Sequence, residues 1–312
     1  MLTRREFMKT AVASGASAGA AMPALLNGAQ VPHRDFPTAP RERLSVTSYP
    51  FRALIESPAN QERDRTKPGM DLKDFAAMVA ERFRVPNINP LASHFSSTEP
   101  KYLDELRAAV EKAKSHIVDL GLGEKNFSDL DPAVFGEAFR YGTMWIEIAA
   151  IIGSPSVRQH LGRPSHSAPL VEMSAYALGR LADYGAKKNV AVILENDDPV
   201  AEDPFFIAKV IEKVGNPYLR SLPDFGNSLP ALGEERNDEA VRQMFRHAWN
   251  MAHVKDTVEE RGETYRVDLE KMFAIAKAEG FRGYFSMEWE SSHGDVFGGT
   301  RKLVEESLKY LS

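Results

Sequence analysis

The stretch Val190-Ala-Val-Ile-Leu-Glu195-Asn196-Asp197-Asp198 shows the unit from which the rest of the chain is built. An apolar, largely β-branched run ends abruptly in amides and carboxylates, which is typical of a buried strand that finishes at a polar edge. Segments of helical period precede it at residues 171–188 and follow it at residues 203–214. This alternation predicts βα units and a parallel sheet.

The same rhythm recurs eight times along the chain. Predicted strands cover residues 44–51, 85–91, 117–122, 155–160, 190–196, 218–225, 251–256 and 283–289, and predicted helices cover residues 71–83, 101–114, 132–152, 171–188, 203–214, 238–250, 268–279 and 301–311. Eight such units match the usual size of a closed (β/α)₈ TIM barrel, so we predict one α/β domain over residues 44–312. A doubly wound open sheet is the alternative, but no Gly-x-Gly-x-x-Gly follows the first strand, which disfavours a dinucleotide site.

The first 29 residues have the anatomy of an export signal. Arg4 and Arg5 precede a short apolar stretch rich in small residues, and with Phe7 and Lys9 they resemble the twin-arginine signal. We therefore predict a signal peptide at residues 1–29 and a linker at residues 30–43. Export through the twin-arginine machinery to the periplasm, with no stable membrane anchor, follows from this prediction; an amphipathic helix packed on the domain is the alternative.

The net charge and the residue composition limit which partners and metal ligands are possible. The 312-residue chain carries a formal net charge of −5. The predicted signal contains three positive charges and one negative charge, so its removal would leave about −7, which disfavours nucleic acid as a partner. The chain contains no cysteine, so disulfides and thiolate chemistry are excluded. Any metal must be held by His, Asp and Glu.

Each of the last four predicted strands ends near one potential metal ligand, namely Glu195, Asp224, His253 and Glu288. They are 29, 29 and 35 residues apart, about one βα unit each, so a barrel would bring them together at the carboxyl ends of neighbouring strands. Three adjacent carboxylates repel one another unless a positive charge lies between them. Alone, each could equally cap a helix or pair with a lysine. Together they predict a divalent metal site, for which Mn²⁺ is the first choice and Mg²⁺, Co²⁺ and Zn²⁺ are alternatives.

These residues, in the contexts Leu194-Glu195-Asn196, Asp224, His253-Val-Lys-Asp256 and Glu288, resemble the xylose isomerase-like TIM barrel superfamily, and within it the sugar phosphate isomerase/epimerase branch. The resemblance implies that Glu195 and Glu288 bind the metal and also shuttle a proton, and that Asp224 and His253 are ligands only. One position departs from the pattern. Many relatives have a substrate-contacting His three residues after the strand-six Asp, where this chain has Asn227, and an amide cannot take a proton.

Other polar residues near the strand ends are candidates for the substrate site. Lys255 lies two residues beyond His253 on the same strand face, where it would either act in catalysis or form a salt bridge to a nearby acid. Side chains expected to contact substrate are Asn196, Asn227, Glu290, His94 and Arg158. Turn, cap and strand-end roles are the alternatives for these positions.

The leading functional hypothesis is a metal-dependent sugar isomerase or epimerase that removes a proton next to a carbonyl through a metal-bound enediolate. A lyase or hydrolase of 3-keto-glycosides would use the same first step, and the sequence does not choose between these outcomes. A non-catalytic, exported carbohydrate-binding barrel is the hypothesis from another class. A homodimer is compatible with the sequence, whose expected ligand is a small sugar or glycoside.

Overall fold

The computed structural model describes residues 31–129, 131–163, 170–198, 202–291 and 294–311. The predicted signal peptide and Gln30 lie outside the described residues. In the described part of the chain, no helix is both long enough and apolar enough to cross a membrane.

In the described part of the chain, nine short strands line the interior: β1 Leu44–Thr47, β2 Asn87–Asn89, β3 His116–Ile117, β4 Leu120–Gly121, β5 Ser156–Arg158, β6 Ala191–Glu195, β7 Leu219–Leu222, β8 Met251–Val254 and β11 Tyr284–Met287. They pair in parallel in the orders β3-β2-β1-β11-β8 and β4-β5-β6-β7. Strands β3 and β4 are two halves of the single predicted third strand, because the ladder breaks between Ile117 and Leu120.

The two sheets join into one barrel at both seams. A parallel bridge between Leu91 and Gly121 joins the β2 side to β4, and a second bridge between Asp224 and His253 joins the β7 side to β8. The eight-strand barrel predicted from the sequence is therefore confirmed, and its carboxyl-end rim holds the predicted ligands.

The helices cover the outside of the barrel: α1 Leu72–Phe83, α2 Pro100–Lys112, α3 Pro132–Ile152, α4 Val171–Lys188, α5 Pro204–Val214, α6 Leu229–Leu232, α7 Glu234–His247, α8 Leu269–Ala278 and α9 Val296–Leu311. Aspartate caps start several of them, since the side chains of Asp71, Asp131, Asp203 and Asp268 accept hydrogen bonds from backbone N–H groups in the first turn. Each apolar face then packs on the strands.

Two helices begin several residues before their predicted starts. Helix α7 begins at Glu234, four residues before the predicted start, because acidic residues favour a helix N-terminus even where no apolar residue marks it. Helix α9 begins at Val296 rather than at residue 301. This first turn was not predicted because it contains glycines at positions 298 and 299, and glycine is a poor helix former.

One hairpin was not predicted. Strands β9 Thr257–Glu260 and β10 Glu263–Arg266 pair antiparallel between β8 and α8. Arg261 and Gly262 form the tight turn, both with positive φ, 52° and 81°. The strands are mostly polar, so they lack the apolar run by which the barrel strands were recognised.

The segment predicted as a linker contacts the amino-terminal end of the barrel. Phe36 packs edge-on against Trp249 and Tyr284, with ring centroids 6.1 and 5.8 Å apart. Arg43 donates hydrogen bonds to the carbonyls of Phe281 and Gly283. These contacts lie at the end of the barrel opposite to the predicted metal ligands.

Candidate metal centre and active site

The barrel brings the four predicted ligands together. Glu195 is the last residue of β6, Asp224 follows β7 by two residues, His253 lies within β8, and Glu288 directly follows β11. Each offers a ligand atom, and these atoms all lie within 4.8 Å of one another. The residues are 3, 0, 1 and 5% exposed, so three carboxylates are buried side by side.

His253 is held on both ring nitrogens. Its Nδ1 lies 2.6 Å from Glu195 Oε1, and its Nε2 lies 3.0 Å from Asn89 Oδ1. Asn89 Nδ2 donates to the main-chain oxygen and the carboxylate of Asp119, so its Oδ1 must accept from His253. The Nε2 atom therefore carries a hydrogen, so Nδ1, which faces Glu195, is the nitrogen that would bind a metal. Burial would lower the pKa of His253, but Glu195 and Glu288 raise it to about 9, so a metal at Nδ1 would displace a proton.

Asp224 is oriented by its surroundings. One carboxylate oxygen, Oδ1, accepts from the backbone N–H groups of Gly226 and Asn227 at 2.8 and 2.7 Å. The other, Oδ2, is buried and has no hydrogen-bond partner among the described residues, although Lys255 Nζ lies 3.4 Å away. A buried carboxylate oxygen without a bonded donor is costly unless a cation binds it.

Asn196 supports Asp224. Its Oδ1 accepts from the backbone N–H of Asp224 at 2.8 Å, and its Nδ2 donates to the Asp224 carbonyl and to Ser228 Oγ. The sequence suggested a substrate contact for Asn196, but the buried amide faces Asp224 and Ser228 instead. Its position after the strand is as predicted; these neighbours could not be read from the sequence.

Two cations flank the carboxylate cluster. Arg158 Nε lies 3.3 Å from Glu195 Oε2. Lys255 Nζ lies 3.1 Å from Glu288 Oε2 and 3.1 Å from Glu290 Oε1, and it also donates to Asn227 Oδ1 at 2.7 Å. The salt bridges considered for Lys255 are thus present, and they place its ammonium group within the cluster.

The charges perturb one another strongly. Burial would raise the pKa of Glu195, but His253 and Arg158 outweigh it and hold the pKa well below its usual value. Burial raises the pKa of Asp224 to about 7, with Lys255 opposing and Glu195 adding to the rise. Burial would lower the pKa of Lys255, but Asp224 and Glu288 raise it well above its usual value. The lysine is therefore a fixed positive charge.

A pocket of about 410 Å³ opens above the cluster. Its wall includes the following residues predicted to take part in catalysis or substrate binding: Glu195, Glu288, Lys255, His94, Arg158, Asn227 and Glu290. Burial lowers the pKa of His94 to about 4, so its ring is neutral at pH 7, and its Nδ1 bonds to Ser48 Oγ at 2.7 Å. A concave pocket with convergent polar groups is the usual form of a small-molecule site.

Several residues of the site were missed by sequence reasoning. Asn89 and Asp119 support His253 from below, and Tyr49 lines the pocket. Asp197 and Glu202 lie with His160 in a second group of potential ligands, in which Glu202 contacts the ring of His160 at 3.1 Å. Asp197 carried a signal, since it follows Glu195 by two residues at the strand end.

The amino-acid sequence matches the model of a known protein family. The model of the xylose isomerase-like TIM barrel matches residues 73–312. The chain belongs to this family. The resemblance noted from the strand-end residues is confirmed, and the match covers all the predicted metal ligands of this xylose isomerase-like barrel.

Solved structures of other proteins share the fold at low sequence identity. A xylose isomerase-like TIM barrel protein from Mycobacterium smegmatis, solved in complex with magnesium, is 14% identical with a TM-score of 0.67, covering 88% of this chain and 98% of its own. D-allulose 3-epimerase from Methylomonas sp. with D-allulose is 15% identical with a TM-score of 0.66, covering 88% and 98%. D-psicose 3-epimerase from Clostridium cellulolyticum H10 with D-tagatose is 14% identical with a TM-score of 0.63, covering 86% and 96%. No curated protein sequence gives a significant match.

Proposed function

We propose that this xylose isomerase-like barrel is a divalent-metal-dependent sugar isomerase or epimerase, which moves a proton on the carbon next to a sugar carbonyl. One observation carries the proposal: the potential ligand atoms of Glu195, Asp224, His253 and Glu288 lie within 4.8 Å of one another beneath a polar pocket. Two of these carboxylates also line the pocket, where they would reach a substrate.

The residues fit a divalent cation. Asp224 Oδ2 is buried without a hydrogen bond among the described residues, and Asn89 holds Nε2 of His253 so that Nδ1 faces the carboxylate of Glu195. Three carboxylates and one imidazole suit Mn²⁺, Mg²⁺, Co²⁺ or Zn²⁺, and Mn²⁺ is our first choice. When bound, such an ion polarises a substrate carbonyl and acidifies the neighbouring C–H bond.

The two glutamates supply the proton transfers. Glu195 remains ionised beside Arg158 and can take a proton from carbon. Glu288 on another strand can return one after it has taken up a proton from solvent. Return from the opposite face inverts the carbon, and return to the neighbouring carbon isomerises the sugar. The permanent charge of Lys255 next to Glu288 can stabilise negative charge that develops on a substrate oxygen.

The comparisons support a sugar as the substrate class. The family model is that of xylose isomerase-like barrels, and two of the structural relatives are ketose 3-epimerases with a sugar bound. Asn227 indicates a difference from the many relatives that have a histidine at this position. Its amide oxygen accepts from Lys255, so it can orient the lysine or a hydroxyl but cannot transfer a proton.

A second candidate reaction shares the first step. After proton abstraction, expulsion of a β-glycosyloxy group from the same substrate would make the protein a lyase or hydrolase of 3-keto-glycosides. A cavity of about 790 Å³ next to the catalytic pocket favours this candidate, because it leaves room for a leaving group.

The test is hydrogen exchange with solvent. The Mn²⁺-loaded protein is incubated in D₂O with ketoses and 3-oxo-glucosides, and NMR follows the signal of the proton next to the carbonyl. We expect exchange by the wild type, loss of exchange in Glu195→Gln and Glu288→Gln, and none of that loss in Glu263→Gln, an exposed control. Sugar binding without exchange in the wild type would instead indicate a carbohydrate-binding barrel.

We also propose that the protein is exported, on the basis of Arg4 and Arg5 and the apolar stretch that follows them. Cell fractionation and sequencing of the mature amino terminus test this. A periplasmic form that begins near residue 30, lost when both arginines are replaced by lysine, is the expected result. A cytoplasmic protein with an intact amino terminus would overturn the proposal.

A further inference from the structure

A second cavity adjoins the catalytic pocket. It measures about 790 Å³ and lies between the segment after β1 and the segment after β11. Glu62 and Glu290 line both spaces, so the cavities share a wall. The catalytic pocket, at about 410 Å³, is near the lower end of the ~300–1,000 Å³ typical of small-molecule sites. A ligand that fills both would extend well beyond one sugar ring.

The second cavity contains an aromatic platform. A Cβ placed on Gly299 would lie 2.1 Å from Trp289 Cε2, so the indole rests directly on the backbone of helix α9, an approach that only glycine permits. Trp289 is partly exposed and lines the cavity together with Pro50 and Phe297. A flat, supported indole offers apolar contact area to the C–H face of a ring.

The charged groups of the cavity disfavour an anionic occupant. Arg52 is bonded to Glu62 at 2.6 Å and its guanidinium stacks on Tyr49 at 4.2 Å. Lys67 pairs with Asp64 at 3.3 Å. The lysine and arginine in the described cavity lining are thus both paired with carboxylates, which leaves polar atoms for hydroxyl groups but no spare cation for a phosphate or carboxylate.

We propose that the substrate is a glycoside of at least two rings. Its carbonyl-bearing sugar lies over Glu195 and Glu288, and its second, uncharged ring stacks on Trp289. The position of the first ring rests on the proposed function. The position of the second rests on the adjoining cavity, which shares Glu62 and Glu290 with the catalytic pocket, and on the Gly299-supported indole.

The chain offers a matched pair of variants for the test. Gly299→Ala forces a methyl group into the indole. Gly298→Ala, one residue earlier in the same helix turn, meets the side chain of Asp295 at 3.2 Å and does not contact the indole. Trp289→Ala removes the platform outright, and circular dichroism checks that every variant is folded.

The experiment compares two substrates that differ only in the second ring. Exchange of the proton next to the carbonyl is measured for methyl 3-oxo-β-glucoside and for cellobiose oxidised at carbon 3 of its non-reducing ring. The expected result is a higher kcat/KM for the cellobiose derivative, by ~tenfold for one stacked ring. This ratio falls towards one in Gly299→Ala and Trp289→Ala and persists in Gly298→Ala.

The outcomes separate the two proposals. Equal kcat/KM for both substrates, or a preference unchanged in Gly299→Ala and Trp289→Ala, overturns the second-ring site while the proposed function stands. If neither these substrates nor the ketoses exchange, the proposed function fails, and calorimetry with cellobiose then tests the second-ring site separately. Binding weakened in Gly299→Ala but not in Gly298→Ala supports it, and no binding to the wild type overturns it.

Discussion

Replacing Asn89 by leucine should weaken metal binding, although the Asn89 amide is bonded to other residues and is not itself a predicted ligand. Its amide oxygen holds the Nε2–H of His253 at 3.0 Å, and its amide nitrogen is engaged by Asp119. Leucine has a similar volume but makes neither bond. The His253 ring is then free to rotate or to change tautomer, which removes the preformed Nδ1 ligand.

The magnitude follows from the position of Asn89 behind His253, a predicted metal ligand. Loss of such a partner typically costs 10–100-fold in metal affinity, equivalent to ~1.4–2.7 kcal/mol. It also leaves buried polar groups of His253 and Asp119 unpaired, at ~1–3 kcal/mol each in folding free energy. A folded variant with weak metal binding is therefore expected, and urea denaturation gives its stability.

The matched control is Asn87→Leu. Asn87 lies two residues earlier on β2 and is also buried, but its Nδ2 donates to the carbonyls of Glu42 and Leu44, away from the metal centre. Isothermal titration with Mn²⁺ compares the two variants with wild type. Unchanged affinity in Asn89→Leu, or an equal loss in Asn87→Leu, would refute the reasoning.

Three further predictions concern stability. Mn²⁺ at 100 times its dissociation constant should raise the free energy of unfolding by ~2.7 kcal/mol, and thermal denaturation of Asp224→Ala should show no such shift. Burial and Arg52 lower the pKa of His94 from 6.5 to about 4. Below pH 6.5, His94 therefore binds a proton in the unfolded chain but stays neutral in the folded chain. Stability that is present above pH 6.5 is therefore lost towards pH 4, by roughly 3 kcal/mol, and urea midpoints of His94→Gln should lack this part of the pH dependence. Phe225→Ala should cost ~3–5 kcal/mol in a chemical denaturation experiment, because its buried ring contacts Phe245, Phe273 and Phe285.

The predicted metal ligands could be brought together from the sequence because parallel barrel strands bring their carboxyl ends to one rim. Once Glu195, Asp224, His253 and Glu288 were placed at one-unit spacing, their convergence followed from the closed fold. The register of the strands then determines which of these residues lie side by side, as in the bridge between Asp224 and His253.

Asn89 could not be found in the same way. It lies 164 residues before His253 and on a strand that is not its neighbour, so no spacing rule connects them. The same holds for the Trp289 platform, since the contact with Gly299 depends on where helix α9 begins. Asn196 was placed correctly after its strand, but the direction of its side chain depends on the buried backbone of Asp224. The β9–β10 hairpin was missed because its strands are too polar to resemble barrel strands.

We propose that the four converging side chains bind a divalent cation and that Glu195 and Glu288 use it to move a proton on a sugar. Deuterium incorporation next to the carbonyl of a 3-oxo-glucoside or ketose, measured with and without Mn²⁺, tests this most directly. We predict metal-dependent incorporation by the wild type that is abolished in Glu195→Gln. Wild-type protein that binds Mn²⁺ and these sugars but incorporates no deuterium, or incorporation that survives Glu195→Gln unchanged, would contradict it.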